Sequence, residues 1–175
     1  NGGIGSEVIL FAIPGAGPHT ITSLSALTTI VDATRIDGYS HPGASISTLA
    51  TGNDAAIQII LDGTSAEPGG DGLTLSGTGA TGTEIRGLAI GNFRHGISLQ
   101  STSAVTIAGN FIGIAPDGAT SISNSGLGIL LVGSSTSSIG GTDVSNRNLI
   151  SGNTGDGIRV VGGTSNEIRG NYIGT

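Results

Sequence analysis

Asp71, Arg94 and His95 are the residues of this chain whose types and spacing come closest to a catalytic set. An acid, a guanidinium and an imidazole about one repeat apart suggest polysaccharide chemistry. A glycosidase needs two convergent carboxylates, and a lyase or epimerase needs carboxylates holding Ca²⁺ with a base to take a proton. An Asp71–His95 pair would raise the imidazole pKa. Only one acid stands beside one histidine here, and the equivalent places in the next repeats hold Leu127 and Asp156. Asp-Gly is also a turn dipeptide, and the turn reading outweighs catalysis.

Asp37 and Asp62, in "IDG" and "LDG", form a second pair, with Asp32 nearby. Stacked carboxylates can attract Ca²⁺, but that ion takes about six to eight oxygen ligands, so an Asx-turn role is the expectation and no cofactor is required. "GGDGLTLSG" lacks the repetition of a Ca²⁺-binding nonapeptide array. His19 and His41 can neighbour each other, beside Pro18 and Pro42, but the sequence supplies no third ligand for zinc.

The elements that must position these residues are repeats. "DGLTL" (71–75), "HGISL" (95–99), "LGILL" (127–131) and "DGIRV" (156–160) begin 24, 32 and 29 residues apart. Each is followed by a second strand: "EIRGLAIGN", "VTIAGNFIG", "NRNLISGN" and "EIRGNYIGT". Short strands at this period are the mark of a solenoid. Leu73/Leu75, Ile97/Leu99, Ile129/Leu131 and Ile158/Val160 alternate with Thr74, Ser98, Leu130 and Arg159. This two-residue period puts the first set inside as ladders and the second set outside. No strict six-residue period marks a left-handed coil. The fold expected is all-β, a right-handed parallel β-helix of roughly seven coils in one domain, 1–175. Residues 1–70 form irregular opening coils, and 71–175 form regular repeats with surface loops at 115–125 and 140–147. In the opening part "RIDG" (35–38) and "ILDG" (60–63), 25 residues apart, read as one coil apart.

Asn110, Asn148 and Asn171 share one place, each two residues before a core isoleucine, with Leu88 there in the earlier repeat. Stacked asparagines at a corner bond to one another and to the turn backbone, so they read as a structural ladder. Arg86 and Arg169 are equivalent but separated by Ala108 and Gly140, so they make no basic stripe for a uronate polymer. Phe111 and Tyr172, each following a ladder asparagine, read as corner packing rather than a sugar platform. Leu130, Val132 and Val161 form an outward apolar strip suited to self-association.

Bulk composition narrows the classes further. Among 175 residues there are 33 glycines, 3% aromatics, no Cys and no Lys, with net charge −6. The six basic residues are scattered arginines, which argues against nucleic acid. A mean hydropathy of +0.24 separates the chain from disordered sequences, and no apolar run reaches the ~18 residues of a membrane span. No signal peptide is visible at the start. A mature or excised segment without a complete cap at either end is therefore expected, with open ends at "NGGIGSEVILF" and "NEIRGNYIGT".

"FAIPGAGPHTI", "SALTTIVDATRIDGYSHPGAS", "IRGLAIGNF", "GNFIG", "SSIGGTDVSNRNLISGN" and "GDGIRVVGG" together resemble the right-handed β-helix repeat segments of large bacterial extracellular proteins in the pectin-lyase-like superfamily. The resemblance covers essentially the whole chain. It implies that fold and a secreted or cell-surface setting. The function expected is a non-catalytic rigid rod for adhesion or end-to-end assembly into a fibre, with self-association or further coils of the same parent chain as partners. The alternatives are a polysaccharide lyase, epimerase or glycosidase using Asp71, His95 and Arg94, and a carbohydrate-binding module.

Overall fold

The computed structural model describes residues 7–66 and 69–174. The first six residues of the opening segment and the final Thr175 of "NEIRGNYIGT" lie outside the described residues. The described residues are all-β, with strands numbered in chain order and three short 3-10 turns among them. Sheet A stacks β1 (Glu7–Leu10), β3 (Thr34–Asp37), β6 (Glu84–Arg86), β9 (Thr106–Ala108), β12 (Ser138–Gly140) and β15 (Glu167–Arg169). Sheet B stacks β2 (His19–Thr22), β4 (Ile59–Asp62), β7 (Leu88–Gly91), β10 (Phe111–Ile112), β13 (Leu149–Ile150) and β16 (Tyr172–Ile173). Sheet C stacks β5 (Leu73–Ser76), β8 (Ile97–Gln100), β11 (Ile129–Val132) and β14 (Ile158–Val161). Neighbours in all three sheets are parallel. The result is a solenoid-like parallel β architecture without a closed barrel.

Parallel stacking makes each inward residue meet its counterpart in the next turn of chain. Leu73, Ile97, Ile129 and Ile158 are in register, as are Leu75, Leu99, Leu131 and Val160. Sheets A and B add Ile85, Ile107 and Ile139, and Leu88, Ile90, Ile112 and Ile150, all within 1% of full burial. Each such side chain contributes about 1.5–3 kcal/mol relative to exposure. Val160, in the last strand of sheet C, is 44% exposed despite its inward register.

Residues 41–57 leave the stack and fold over the outer face of sheet B. Ser45 and Ala56 pair antiparallel at the base of this arm. Asp54 organises its tip, accepting from Thr48 N and Oγ1, Ser47 Oγ and Leu49 N. Those bonds, the Thr48 backbone N–H first, hold its carboxyl well below the usual range. Beneath the arm, Ile57, Ala89, Phe111, Ile114 and Leu149 form a second apolar cluster.

The arm corrects one expectation. "RIDG" and "ILDG" are not equivalent places one coil apart: Asp37 lies in sheet A opposite Arg86, and Asp62 lies in sheet B opposite Gly91. The 25-residue spacing resembles a repeat because the arm lengthens the path between two strands of different sheets.

Candidate functional site

The place before sheet C brings together the catalytic candidates. Successive backbone bonds, Gly72 N to His95 O, Gly96 N to Leu127 O and Gly128 N to Asp156 O, stack Asp71, His95, Leu127 and Asp156 in the expected order. Arg94 is bidentate on Asp71, with Nε to Oδ1 at 2.8 Å and Nη2 to Oδ2 at 3.1 Å. The Asp71 side chain is 5% exposed, so both oxygens are committed and little of the carboxylate meets solvent. That bond raises the Arg94 pKa. His95 Nδ1 accepts the Leu127 N–H at 2.9 Å, which leaves Nε2 as the protonated nitrogen of the neutral ring. The ring cannot act as a base through Nδ1 without releasing Leu127. Asp156 pairs instead with Arg159 at 2.8 Å.

The expected rise of the His95 pKa is overturned: burial pulls the imidazole below its ordinary value, Asp71 opposes this, and Arg94 and Arg159 reinforce it. The unfolded ring, titrating near pH ~6.5, then binds protons more readily than the folded one. Stability from this group is complete above that pH and is lost as pH falls through the lower folded value. Urea melts between about pH 7 and 5 are expected to lose stability on acidification, with a shallower slope for His95→Gln.

The Ca²⁺ candidates are apart and engaged. Asp37 bonds Arg35 Nη2 at 2.7 Å, caps the 3-10 turn through Tyr39 N at 3.1 Å, and faces Arg86 Nε at 3.7 Å. Glu84 completes this outer network with Arg35 and Arg86. Asp62 accepts from Thr64 N and Oγ1, Asn92 Nδ2 and Thr22 Oγ1. Burial would raise its pKa, but these bonds outweigh that and lower it. Among the described residues no three His, Cys, Asp or Glu side chains gather as a metal set.

Tyr39 lies over Gly87. It donates its hydroxyl to Gly109 O at 2.7 Å and receives Arg86 on its ring face at 5.3 Å. Desolvation pushes its phenol up to about 12, against the opposing Arg86 charge and with a smaller contribution from Asp37.

Asn110, Asn148 and Asn171 stand at the corner between sheets A and B. Asn110 Nδ2 reaches Asn148 Oδ1 at 3.2 Å, and Asn148 Nδ2 reaches Asn171 Oδ1 at 2.9 Å. Each Oδ1 also accepts the backbone N–H one coil earlier: Leu88 N, Asn110 N and Asn148 N in turn. Each Nδ2 donates to a carbonyl of the preceding sheet A segment: Ile85 O, Ile107 O and Ile139 O. The set is closed on itself and on backbone.

Two further corners escaped the reading of the sequence. Between sheets B and C, Asn124 Nδ2 bonds Asn153 Oδ1 at 2.8 Å, and these side chains reach Ile90 O and Ile112 O. Asn124 falls inside the 115–125 insertion yet is fully buried. Between sheets C and A, Thr83, Ser137 and Asn166 accept Thr34 N, Val105 N and Ser137 N. The available signal was an asparagine four residues before the first-strand glycine, at Asn92, Asn124 and Asn153. Asn92 obscures it by pointing outward to Asp62, while Phe93 takes the buried place.

Val132 and Val161 are register partners, 40% and 51% exposed. Leu130 lies on the same face between Ser98 and Arg159, so polar groups bound the strip. Phe111 and Tyr172 face the arm. Gly52 N donates to Tyr172 Oη, and Arg147 stacks on the Tyr172 ring at 4.6 Å while donating to Leu49, Ala50 and Gly52 carbonyls. Arg147 thus clasps the arm to the last coil. A cleft of about 240 Å³ remains between the arm and the turn closed by the antiparallel bridge Ile114–Ser121, lined by Asn53, Phe111, Asp117, Leu149 and Tyr172 among others. No family model, curated protein or solved structure matches this chain.

Proposed function

We propose that the chain is a non-catalytic structural module, a right-handed parallel β-helix of the pectin-lyase-like kind. It serves as a rigid rod for adhesion or end-to-end assembly in a bacterial secreted or cell-surface protein. The observation that carries this reading is continuity. Sheets A and B each run through six strands, against the roughly seven coils expected, with polar ladders bonded at all three corners. Bending such a stack disrupts many neighbour-to-neighbour bonds together. The edge strands carry exposed residues of inward register, Ile9 at one end and Val160, Ile168 and Ile173 at the other, which a further parallel coil would cover.

The chemistry at Asp71 and His95 supports the same reading, because Arg94 and Leu127 already occupy the groups a reaction would use. Incubation with polygalacturonate and alginate, with and without Ca²⁺, is expected to release no unsaturated ends and no new reducing ends. Turnover that disappears in Asp71→Ala or His95→Ala would replace this reading with a lyase or glycosidase.

Carbohydrate binding without turnover is a second reading, favoured by one observation. Asn53 Nδ2, on the wall of the cleft beside Phe111, is buried without a hydrogen-bond partner. Affinity electrophoresis in neutral and acidic polysaccharides tests it: retardation lost in Asn53→Ala supports binding, and unretarded migration removes it.

A further inference from the structure

The first corner between sheets A and B differs from the later ones. Where Asn110, Asn148 and Asn171 stack further along, the opening coils bring together His19, the first residue of β2, and His41, which follows the 3-10 turn Gly38–Ser40. Their ring centroids are 4.9 Å apart with planes tilted by 51°. His41 is 4% exposed. Its Nε2 lies 3.0 Å from Ile13 O. A carbonyl only accepts, so Nε2 carries the proton and Nδ1 keeps a bare lone pair. His41 Nδ1 and His19 Nε2 are both buried without a hydrogen-bond partner. The carbons flanking His19 Nε2, Cε1 and Cδ2, lie against Gly15 and Gly17, in the loop that also supplies Ile13 O.

His41 has the arrangement of a metal ligand, and His19 brings a second buried, unpartnered ring nitrogen. A ring nitrogen that coordinates a metal leaves its other N–H to donate to a carbonyl, which fixes tautomer and orientation. Imidazoles at ~2.0–2.1 Å on one tetrahedral ion place their ring centroids about 5 Å apart. We propose that His19 Nε2 and His41 Nδ1 form a two-imidazole site for a divalent first-row transition metal of the zinc class, with water in the remaining positions. Imidazole nitrogen suits Zn²⁺ and its neighbours, whereas Ca²⁺ and Mg²⁺ require oxygen. The ion staples the loop around Ile13 and Gly17 to the turn after β3, so the first coil is held by coordination where later coils use asparagine amides. The sequence argued against zinc for want of a third ligand; the structure adds two buried, unpartnered ring nitrogens on rings 4.9 Å apart.

Imidazole ¹H–¹⁵N spectra of the full chain, titrated with Zn²⁺ near neutral pH, test the site without substitution. The expected result is saturation at one equivalent, with His19 Nε2 and His41 Nδ1 shifted and His95 unmoved. By calorimetry, His19→Gln and His41→Gln each weaken Zn²⁺ binding by at least about tenfold, His95→Gln leaves it unchanged, and excess Ca²⁺ does not compete. Absence of saturable shifts, movement of His95 in place of the pair, or wild-type affinity in both folded variants would overturn the proposal. If His41→Gln does not fold, His19→Gln and the spectra of the unsubstituted chain decide.

Discussion

Asn148→Ala is expected to lower stability by about 2–4 kcal/mol, because it strips partners from buried backbone on both sides of a corner. Asn148 is fully buried. Its Oδ1 accepts Asn110 N at 2.9 Å, and its Nδ2 donates to Ile107 O at 2.8 Å. Alanine leaves that N–H and that carbonyl without these partners, each costing about 1–3 kcal/mol if water does not replace them. Asn110 Nδ2 keeps Ile85 O and Ala108 O, and Asn171 Oδ1 keeps Asn148 N, so the damage stays local. Asn171→Ala, at the half-buried last coil, is expected to cost less, about 1 kcal/mol. Urea midpoints at constant m-value measure both. Equal and negligible losses would show that the ladder contributes nothing beyond what water supplies.

Gly96→Ala is expected to cost about 3 kcal/mol, through overpacking rather than lost bonding. A Cβ built there would sit 2.7 Å from Ile112 Cγ2, 2.8 Å from Gly128 O and 3.1 Å from Asn124 Nδ2. Gly128 O cannot retreat, because it accepts Ile97 N at 3.0 Å and so sets the spacing between two coils. The added methyl must separate those coils or displace the isoleucine. Gly133→Ala is the contrast. There φ is 62° and the nearest atom is Ser101 Oγ at 3.5 Å, so only the left-handed backbone penalty of about 1 kcal/mol applies. Thermal melts that rank Gly133→Ala as the more damaging change would contradict a sheet C corner limited by close approach.

Both sites act on the stacking of the parallel sheets. The stack's buried polar side chains are largely engaged by the neighbours that position them. Asp71 and His95 illustrate this, since the neighbours that position them also occupy them.

The strand ladders were legible in the sequence because a parallel stack puts like beside like at each repeat. The alternation of Leu73/Leu75, Ile97/Leu99 and Ile129/Leu131, the glycine before each strand and the asparagine two residues before Ile112, Ile150 and Ile173 follow from that repetition alone. What interrupts repetition was not legible. The arm at 41–57 sent Asp37 and Asp62 to different sheets, and Asn124 entered a corner from within an apparent loop. Arg147 reaches carbonyls 95 to 98 residues away. His19 and His41, by contrast, do neighbour each other as the sequence allowed, but the burial of their unpartnered nitrogens was not legible. Sequence by itself therefore determined the parallel β stack and its core ladders, because local alternation and period encode them. Tertiary structure alone decided where the polar side chains of the excursions meet the stack, because that depends on how far each excursion carries the chain before it rejoins the stack.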